Sequence, residues 1–306
     1  MRTTRRTFMT TALAAATAPG ILRTRARARY PLAFSTLGCP GWSWQTILRQ
    51  ADTLGYAGIE LRGVAGEMDL TKVPELTGSR WAGTRADLAA IGVTVSDLGA
   101  SAAMHQTGAA RETALDEGRR FIDLAHTMGV RYVRVFGDEI PPGEPRDAVF
   151  ARVAEGFRTL AAHAESAGVT VIMETHGDFT HAADVAAIHR AVASSAFAIL
   201  WDAHHTFVAG HEQPAETWQA LGGWVKHCHL KDSVPAATDR RYVLTGAGEV
   251  PMKAQVQVLA SHGYQGFYCF EWEKKWHPEI EEPEVAFPHY ARVMTGYLQD
   301  AGVKPA

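Results

Sequence analysis

Thr170-Val171-Ile172-Met173-Glu174 is an apolar run that stops at a carboxylate, and Ala196-Phe197-Ala198-Ile199-Leu200-Trp201-Asp202 repeats the arrangement one unit later. Short apolar runs of this kind read as strands buried on both faces. Ala182–Ala193, between them, carries the spacing of an amphipathic helix. Strand, helix, strand is the unit of a parallel sheet.

The same alternation extends in both directions. Leu32–Ser35, Gly58–Leu61, Thr94–Leu98 and Tyr132–Phe136 are candidate strands upstream, and Val225–Leu230 and Phe267–Glu271 downstream. Helical spacing recurs over Ala110–Met128, Arg146–Ala167 and Pro251–Ser261. Gly55, Gly92, Gly129, Gly168 and Gly263 stand where helix C-caps are expected. Eight strands, each followed by a helix and with no linker between, predict one α/β domain over residues 29–306, a closed (β/α)8 TIM barrel. A doubly wound open sheet is the alternative, but no Gly-rich phosphate fingerprint follows the first strand.

Composition agrees with a globular body. The chain has 306 residues, 46% hydrophobic and 21% charged, and no run is apolar over the ~20 residues needed to span a bilayer. Six of its 30 basic side chains lie in the first 28 residues, leaving 24 against 33 acids, a net −9 for the rest. So acidic a body argues against a nucleic-acid partner. Thr4-Arg5-Arg6-Thr7-Phe8-Met9, the apolar run to Ala18 and the small-x-small Ala26-Arg27-Ala28 read as a twin-arginine signal peptide over residues 1–28. A periplasmic or extracellular mature protein is therefore expected. Cys39, Cys228 and Cys269 have neither disulfide-framework nor metal-site spacing and read as packing residues. Pairing of barrels into a homo-oligomer through outer helices is open, with no long exposed apolar stripe legible.

What ends the strands carries the chemistry. Glu174 and Asp202 close two of them, His227 and His229 share one face of the next, and Glu271 and Glu273 close the last. In a barrel the C-terminal strand ends form the active-site mouth, so four consecutive strands aim Glu, Asp, His and Glu at one place. Singly, each has a bland reading as a solvated edge or ion-pair partner. Together, uncompensated carboxylates would repel and push their pKa values up. One divalent cation removes that cost, and the oxygen-rich set suits Mn²⁺, Mg²⁺ or Co²⁺, with Zn²⁺ also acceptable.

The chain resembles the sugar phosphate isomerase/epimerase family of xylose-isomerase-like barrels over roughly residues 31–300. The resemblance is carried by Gly58-Ile59-Glu60-Leu61, Met173-Glu174, Trp201-Asp202-Ala203-His204-His205, His227-Cys228-His229-Leu230-Lys231-Asp232, Gly246-Ala247-Gly248-Glu249-Val250-Pro251 and Phe270-Glu271-Trp272-Glu273. It implies metal ligands at Glu174, Asp202, His229 and Glu271, with Glu174 and Glu271 also the proton-transferring pair, as in ketose epimerases. His205 matches a substrate-contacting histidine. The sugar-clamping set of those epimerases is incomplete, because Thr180 stands where they have a glutamate and Pro235 where they have an arginine.

Further candidates come from the residues themselves. His176 is read as donating to a substrate oxygen or as a loop histidine, and Lys231 as stabilising an enolate, pairing with Asp232 or lining the rim. Trp272 and Trp276 are read as stacking on a sugar ring or as core, and Glu60 as reaching the mouth or as a buried pair. Glu273 is the alternative last ligand, and Lys274–Pro283 reads as a mobile flap or, by default, as a solvated charge run. The expected activity is metal-dependent isomerisation or epimerisation of a small carbohydrate through an enediolate. Lyase or dehydratase action on 3-keto-glycosides or inososes is the alternative. Phosphodiester hydrolysis and a non-catalytic carbohydrate-binding barrel rank behind both.

Overall fold

A computed structural model describes residues 28–237 and 240–306. The twin-arginine reading rests on residues 1–28, of which 1–27 lie outside the described residues. Among the described residues, no helix is long and apolar enough to cross a membrane.

In chain order the elements are β1 (Leu32–Ser35), α1 (Trp44–Leu54), β2 (Gly58–Leu61), α2 (Arg80–Ile91), β3 (Thr94–Ala103), α3 (Gly108–Met128), β4 (Tyr132–Phe136), α4 (Arg146–Ala167), β5 (Thr170–Glu174), α5 (Ala182–Val192) and β6 (Phe197–Asp202). They continue with α6 (Ala203–Val208), α7 (Pro214–Leu221), β7 (Val225–Leu230), β8 (Asp232–Pro235), β9 (Arg240–Val243), α8 (Met252–Ser261), β10 (Tyr268–Phe270) and α9 (Pro283–Asp300). Eight parallel strands close in the order β1-β10-β7-β6-β5-β4-β3-β2, the expected (β/α)8 barrel. Strands β8 and β9 form a separate antiparallel hairpin.

The helix ends follow the sequence reading. Helices α1 to α4 each stop at a glycine in the left-handed region, for example Gly55 at φ 76° and Gly168 at φ 67°. An L side chain there costs roughly 1–2 kcal/mol. Outside the barrel, Phe157 and Leu160 of α4 and Phe121 of α3 are fully buried, each contributing ~1.5–3 kcal/mol through removal from water. A Cβ on Gly118 of α3 would meet Leu160 Cδ1 at 2.8 Å, so these two helices touch with no room for a larger residue. Cys39, Cys228 and Cys269 are free and buried.

Two differences from the sequence reading matter. Strand β3 runs on to Ala103, past the expected end at Leu98, with a register shift between Gly99 and Ala103. The β8–β9 hairpin is not among the expected strands, its alternation being short and ending at Pro235 on one side.

The lumen is unusual. Barrel interiors are commonly filled by branched aliphatic side chains. Here, among the described residues, Ile172, Ala198 and Leu200, with Tyr132 against them, make a small inner apolar cluster apart from the main core. Charged groups occupy much of the rest: Glu60, Asp97, Arg134, Glu174, Asp202, His227, His229 and Lys231 are each at most 1% exposed.

Candidate metal centre

Strand alternation and register bring the site together. Glu174 ends β5, Asp202 ends β6 directly beside His229 of β7, and His229 stands level with Cys269 of β10. Two residues beyond Cys269, Glu271 returns to the inner face. One ligand atom from each of Glu174, Asp202, His229 and Glu271 lies within 4.8 Å of the others. His229 Nδ1 is 3.1 Å from Glu271 Oε2, 3.3 Å from Glu174 Oε1 and 3.8 Å from Asp202 Oδ2.

The donors fit a divalent cation. Glu174 Oε2 is buried without a hydrogen-bond partner. Burial, together with the Glu271 and Glu174 charges, pushes the Asp202 carboxyl up to about 7, against the pull of Lys231. Three crowded carboxylates and one imidazole nitrogen are the donor set of Mg²⁺, Mn²⁺ or Co²⁺, and Zn²⁺ accepts it too. Asp202 is oriented by the chain itself. It caps α6, its Oδ1 accepting from the backbone N–H of His204 (2.9 Å) and His205 (3.0 Å), which turns Oδ2 towards the centre and the Lys231 ammonium.

Lys231 lies inside the site rather than on its rim. Its buried ammonium is 2.6 Å from Asp202 Oδ2 and 2.9 Å from Glu273 Oε1, and it also pairs with Glu271. Burial works against the charge, yet these carboxylates hold the Lys231 pKa well above its ordinary value. Asp232 is not its partner. The Asp232 carboxylate instead accepts from the backbone N–H of Gly246 and Gly248 (2.9 Å each) and of Val250 (3.2 Å), tying down the Gly246–Pro251 loop. A Cβ on Gly248 would lie 2.1 Å from Asp232 Oδ1, which is why that position is glycine. Glu273, the alternative ligand, sits on Lys231 and outside the four-residue cluster.

Two histidines border the centre. His205 Nε2 is 3.5 Å from Asp202 Oδ2, and burial beside Lys231 holds its pKa well below the usual value. His176 packs edge-on against His205 and over Phe136, with its Nδ1 3.1 Å from Asp138 Oδ1. Burial lowers the His176 pKa, but the Asp138 hydrogen bond and the Glu174 charge raise it overall. Asp138 is held at φ 75°, a left-handed conformation rare outside glycine.

A profile of the xylose isomerase-like TIM barrel family matches residues 48–293. The chain belongs to that family. Fructoselysine 3-epimerase from Shigella flexneri is 26% identical to it over 166 residues, 53% of this chain and 59% of the relative. The match thus spans less than two thirds of that relative's length. Among solved structures, 3-keto-D-glucoside 4-epimerase from E. coli superposes with TM-score 0.69 at 15% identity, covering 89% of this chain and 100% of that one. A xylose isomerase-like barrel protein from Mycobacterium smegmatis in complex with magnesium gives TM-score 0.62 at 17% identity, covering 89% and 96%.

Several sequence-derived assignments in this xylose isomerase-like barrel are corrected by packing. Trp272 is fully buried, stacked on Phe270, and donates its indole N–H to Glu281 O at 2.9 Å, so it is core and has no face for a sugar. Trp276 is the exposed one, at 55%. The Lys274–Pro283 run is not simply solvated. Lys274 Nζ donates to Pro278 O (2.7 Å) and Ile280 O (2.6 Å) and pairs with Glu282 (2.8 Å), folding the segment on itself. Thr180 is buried, with its carbonyl packed on Gly210, and Pro235 ends β8. A cavity of about 570 Å³ opens at the opposite, N-terminal end of the barrel, against Val95, Tyr132, Lys226 and Phe267, where barrels carry stability rather than catalysis.

Three lumen residues escaped the sequence reading. Arg134 pairs with Glu174 at 3.2 Å, Arg62 donates to Ser101 Oγ at 3.0 Å, and Asp97 stands 3.2 Å from His227 Nε2. Burial and the Arg134 charge bring the Arg62 pKa down to about 10. The signal for two of them was present: a charge in the middle of Tyr132-Val133-Arg134-Val135-Phe136 and of Thr94-Val95-Ser96-Asp97-Leu98 falls on the inward side of a barrel strand.

Proposed function

We propose that this barrel is a divalent-metal-dependent isomerase or epimerase that moves a proton next to the carbonyl of a sugar or related polyol ketone. The observation that carries the reading is the convergence of Glu174 and Glu271 on His229 Nδ1 from strands separated by β6 and β7. When held by Glu174, Asp202, His229 and Glu271, a divalent cation supplies Lewis acidity to the substrate carbonyl. Burial favours neutral acids here, but His229 and Lys231 hold Glu271 well below the usual carboxylate range, and Arg134 and His229 lower Glu174. Each is thereby favoured in its base form. The carboxylate that is ionised takes the proton from carbon, and the other, standing as the protonated acid, returns its own proton from the opposite side, which inverts the centre. Return to the neighbouring carbon interconverts aldose and ketose. His176, oriented by Asp138, donates to a substrate oxygen, and Lys231 holds Asp202 and Glu271 in place.

The second reading is lyase or dehydratase action on 3-keto-glycosides or inososes. Thr180 and Pro235 favour it, since they stand where ketose epimerases have sugar-clamping side chains. We also read residues 1–28 as a twin-arginine leader, which gives the enzyme exported, unphosphorylated substrates.

Proton exchange in D2O, followed by NMR, tests the proposal. Protein with Mn²⁺ is offered free ketoses, inososes and 3-keto-glycosides, with Glu271→Gln as control. Deuterium entering the carbon beside the carbonyl, absent in the control, supports enolising chemistry, and the product separates epimerase, isomerase and lyase. No exchange across the panel by folded, Mn²⁺-loaded protein rejects it.

A further inference from the structure

Below the candidate metal centre lies a second group of buried ionisable side chains to which the proposed proton transfers give no task. Glu60 of β2 is fully buried, and its Oε2 is 2.6 Å from His229 Nε2 and 3.2 Å from His227 Nε2. His227 Nε2 is also 3.2 Å from Asp97 Oδ1, and Ser96 Oγ donates to that oxygen at 2.6 Å. The other oxygens, Glu60 Oε1 and Asp97 Oδ2, are buried without hydrogen-bond partners.

His229 therefore uses its two ring nitrogens for different partners. Nδ1 faces Glu174 and Glu271, and Nε2 faces Glu60. An imidazole binds a cation only through a nitrogen that carries no proton, so the ring must keep its proton on the other nitrogen. A carboxylate behind a ligand histidine accepts that proton's hydrogen bond, sets the ring's orientation and raises its basicity.

We propose that Glu60 is a positioning residue: its carboxylate takes the Nε2–H of His229 and so presents Nδ1 to the cation, while His227 holds Glu60 there. The inference rests on the metal reading above. It also gives the charged lumen a purpose, because Glu60 would be costly to bury without His227 and His229 to accompany it.

The test uses the full chain with Zn²⁺, which is diamagnetic. Long-range ¹H–¹⁵N spectra of histidine-labelled, Zn²⁺-loaded protein should show His229 protonated on Nε2, with that proton protected from exchange. Glu60→Gln is close to isosteric but lacks the charge. With near-UV circular dichroism unchanged, it should bind Zn²⁺ about 10- to 100-fold more weakly by calorimetry and exchange its His229 Nε2–H faster than the wild type. His227→Gln, which leaves the Glu60–His229 bond, should lose less, and it carries the test together with the wild-type spectrum if Glu60→Gln does not fold. Folded Glu60→Gln with wild-type Zn²⁺ affinity, or a wild-type His229 protonated on Nδ1, overturns the role of Glu60 alone. Wild-type protein that binds no Zn²⁺ overturns the metal reading and this inference with it.

Discussion

Arg134 Nε stands 3.2 Å from Glu174 Oε2 in the lumen of the barrel, and both side chains are 1% exposed. The guanidinium also donates to Ala100 O at 3.1 Å and lies 3.9 Å over the Phe136 ring. Gly99 makes the room: a Cβ there would be 2.9 Å from Arg134 Nη2. Removing one partner of a buried ion pair leaves an uncompensated charge, at a cost of roughly 3–5 kcal/mol. Arg134→Met should destabilise the protein by about that amount in urea titration. The loss should be smaller with Mn²⁺ present, since the cation then compensates Glu174. An equal loss with and without Mn²⁺ would separate Glu174 from the metal centre.

Glu271 and Glu273 differ in place and should differ in effect. Glu271 faces His229 Nδ1, whereas Glu273 faces only Lys231 among the site's cations. Glu271→Gln should lower substrate proton exchange by about 10²- to 10⁴-fold, the range for losing a general base. Glu273→Gln should fall well short of that. A reversed order in the same NMR assay would move the proton-transferring role to Glu273.

Cation binding should appear as stability. A ligand at 100 times its dissociation constant adds about 2.7 kcal/mol to a fold that binds it only when native. Thermal melts with Mn²⁺ and with chelator should therefore differ for the wild type. Asp202→Asn, which retains a side-chain oxygen to cap α6, should melt alike in both. A Mn²⁺ shift that survives in Asp202→Asn would place the cation elsewhere.

His189 supplies a pH dependence away from the centre. Its ring stacks on Trp224 at 4.1 Å, and burial, aided by Arg190, lowers its pKa below 6.5. The folded state therefore prefers the neutral ring. This contribution is fully present above the unfolded value near 6.5 and is lost as pH falls through the lower folded value. His189→Phe keeps the stack without the titration, so its melting temperature should fall less than the wild type's on acidification from pH 7. Histidine NMR reads the same quantity directly, and a His189 pKa at or above 6.5 ends the argument.

Much of this molecule was legible along the chain. Apolar runs ending in Glu174 and Asp202, the glycine caps and the strand–helix alternation need only local periodicity and backbone stereochemistry, so the barrel follows from them. The four-residue cluster was legible for a related reason: strand direction in a parallel barrel puts every strand's C-terminal end on one rim.

What only the tertiary structure decided concerns which partner each charge meets. Lys231 has Asp232 beside it in sequence, yet it pairs with Asp202, Glu271 and Glu273, while Asp232 holds the Gly246–Pro251 loop. Trp272 turns into the core between the two carboxylates that flank it in sequence, because alternate residues face opposite sides. Glu60 meets His229 across a separation of 169 residues. Periodicity tells which face a side chain takes. Ion pairs in a low-dielectric lumen are set by distances across the barrel, and those depend on register and closure, which no local stretch of sequence encodes.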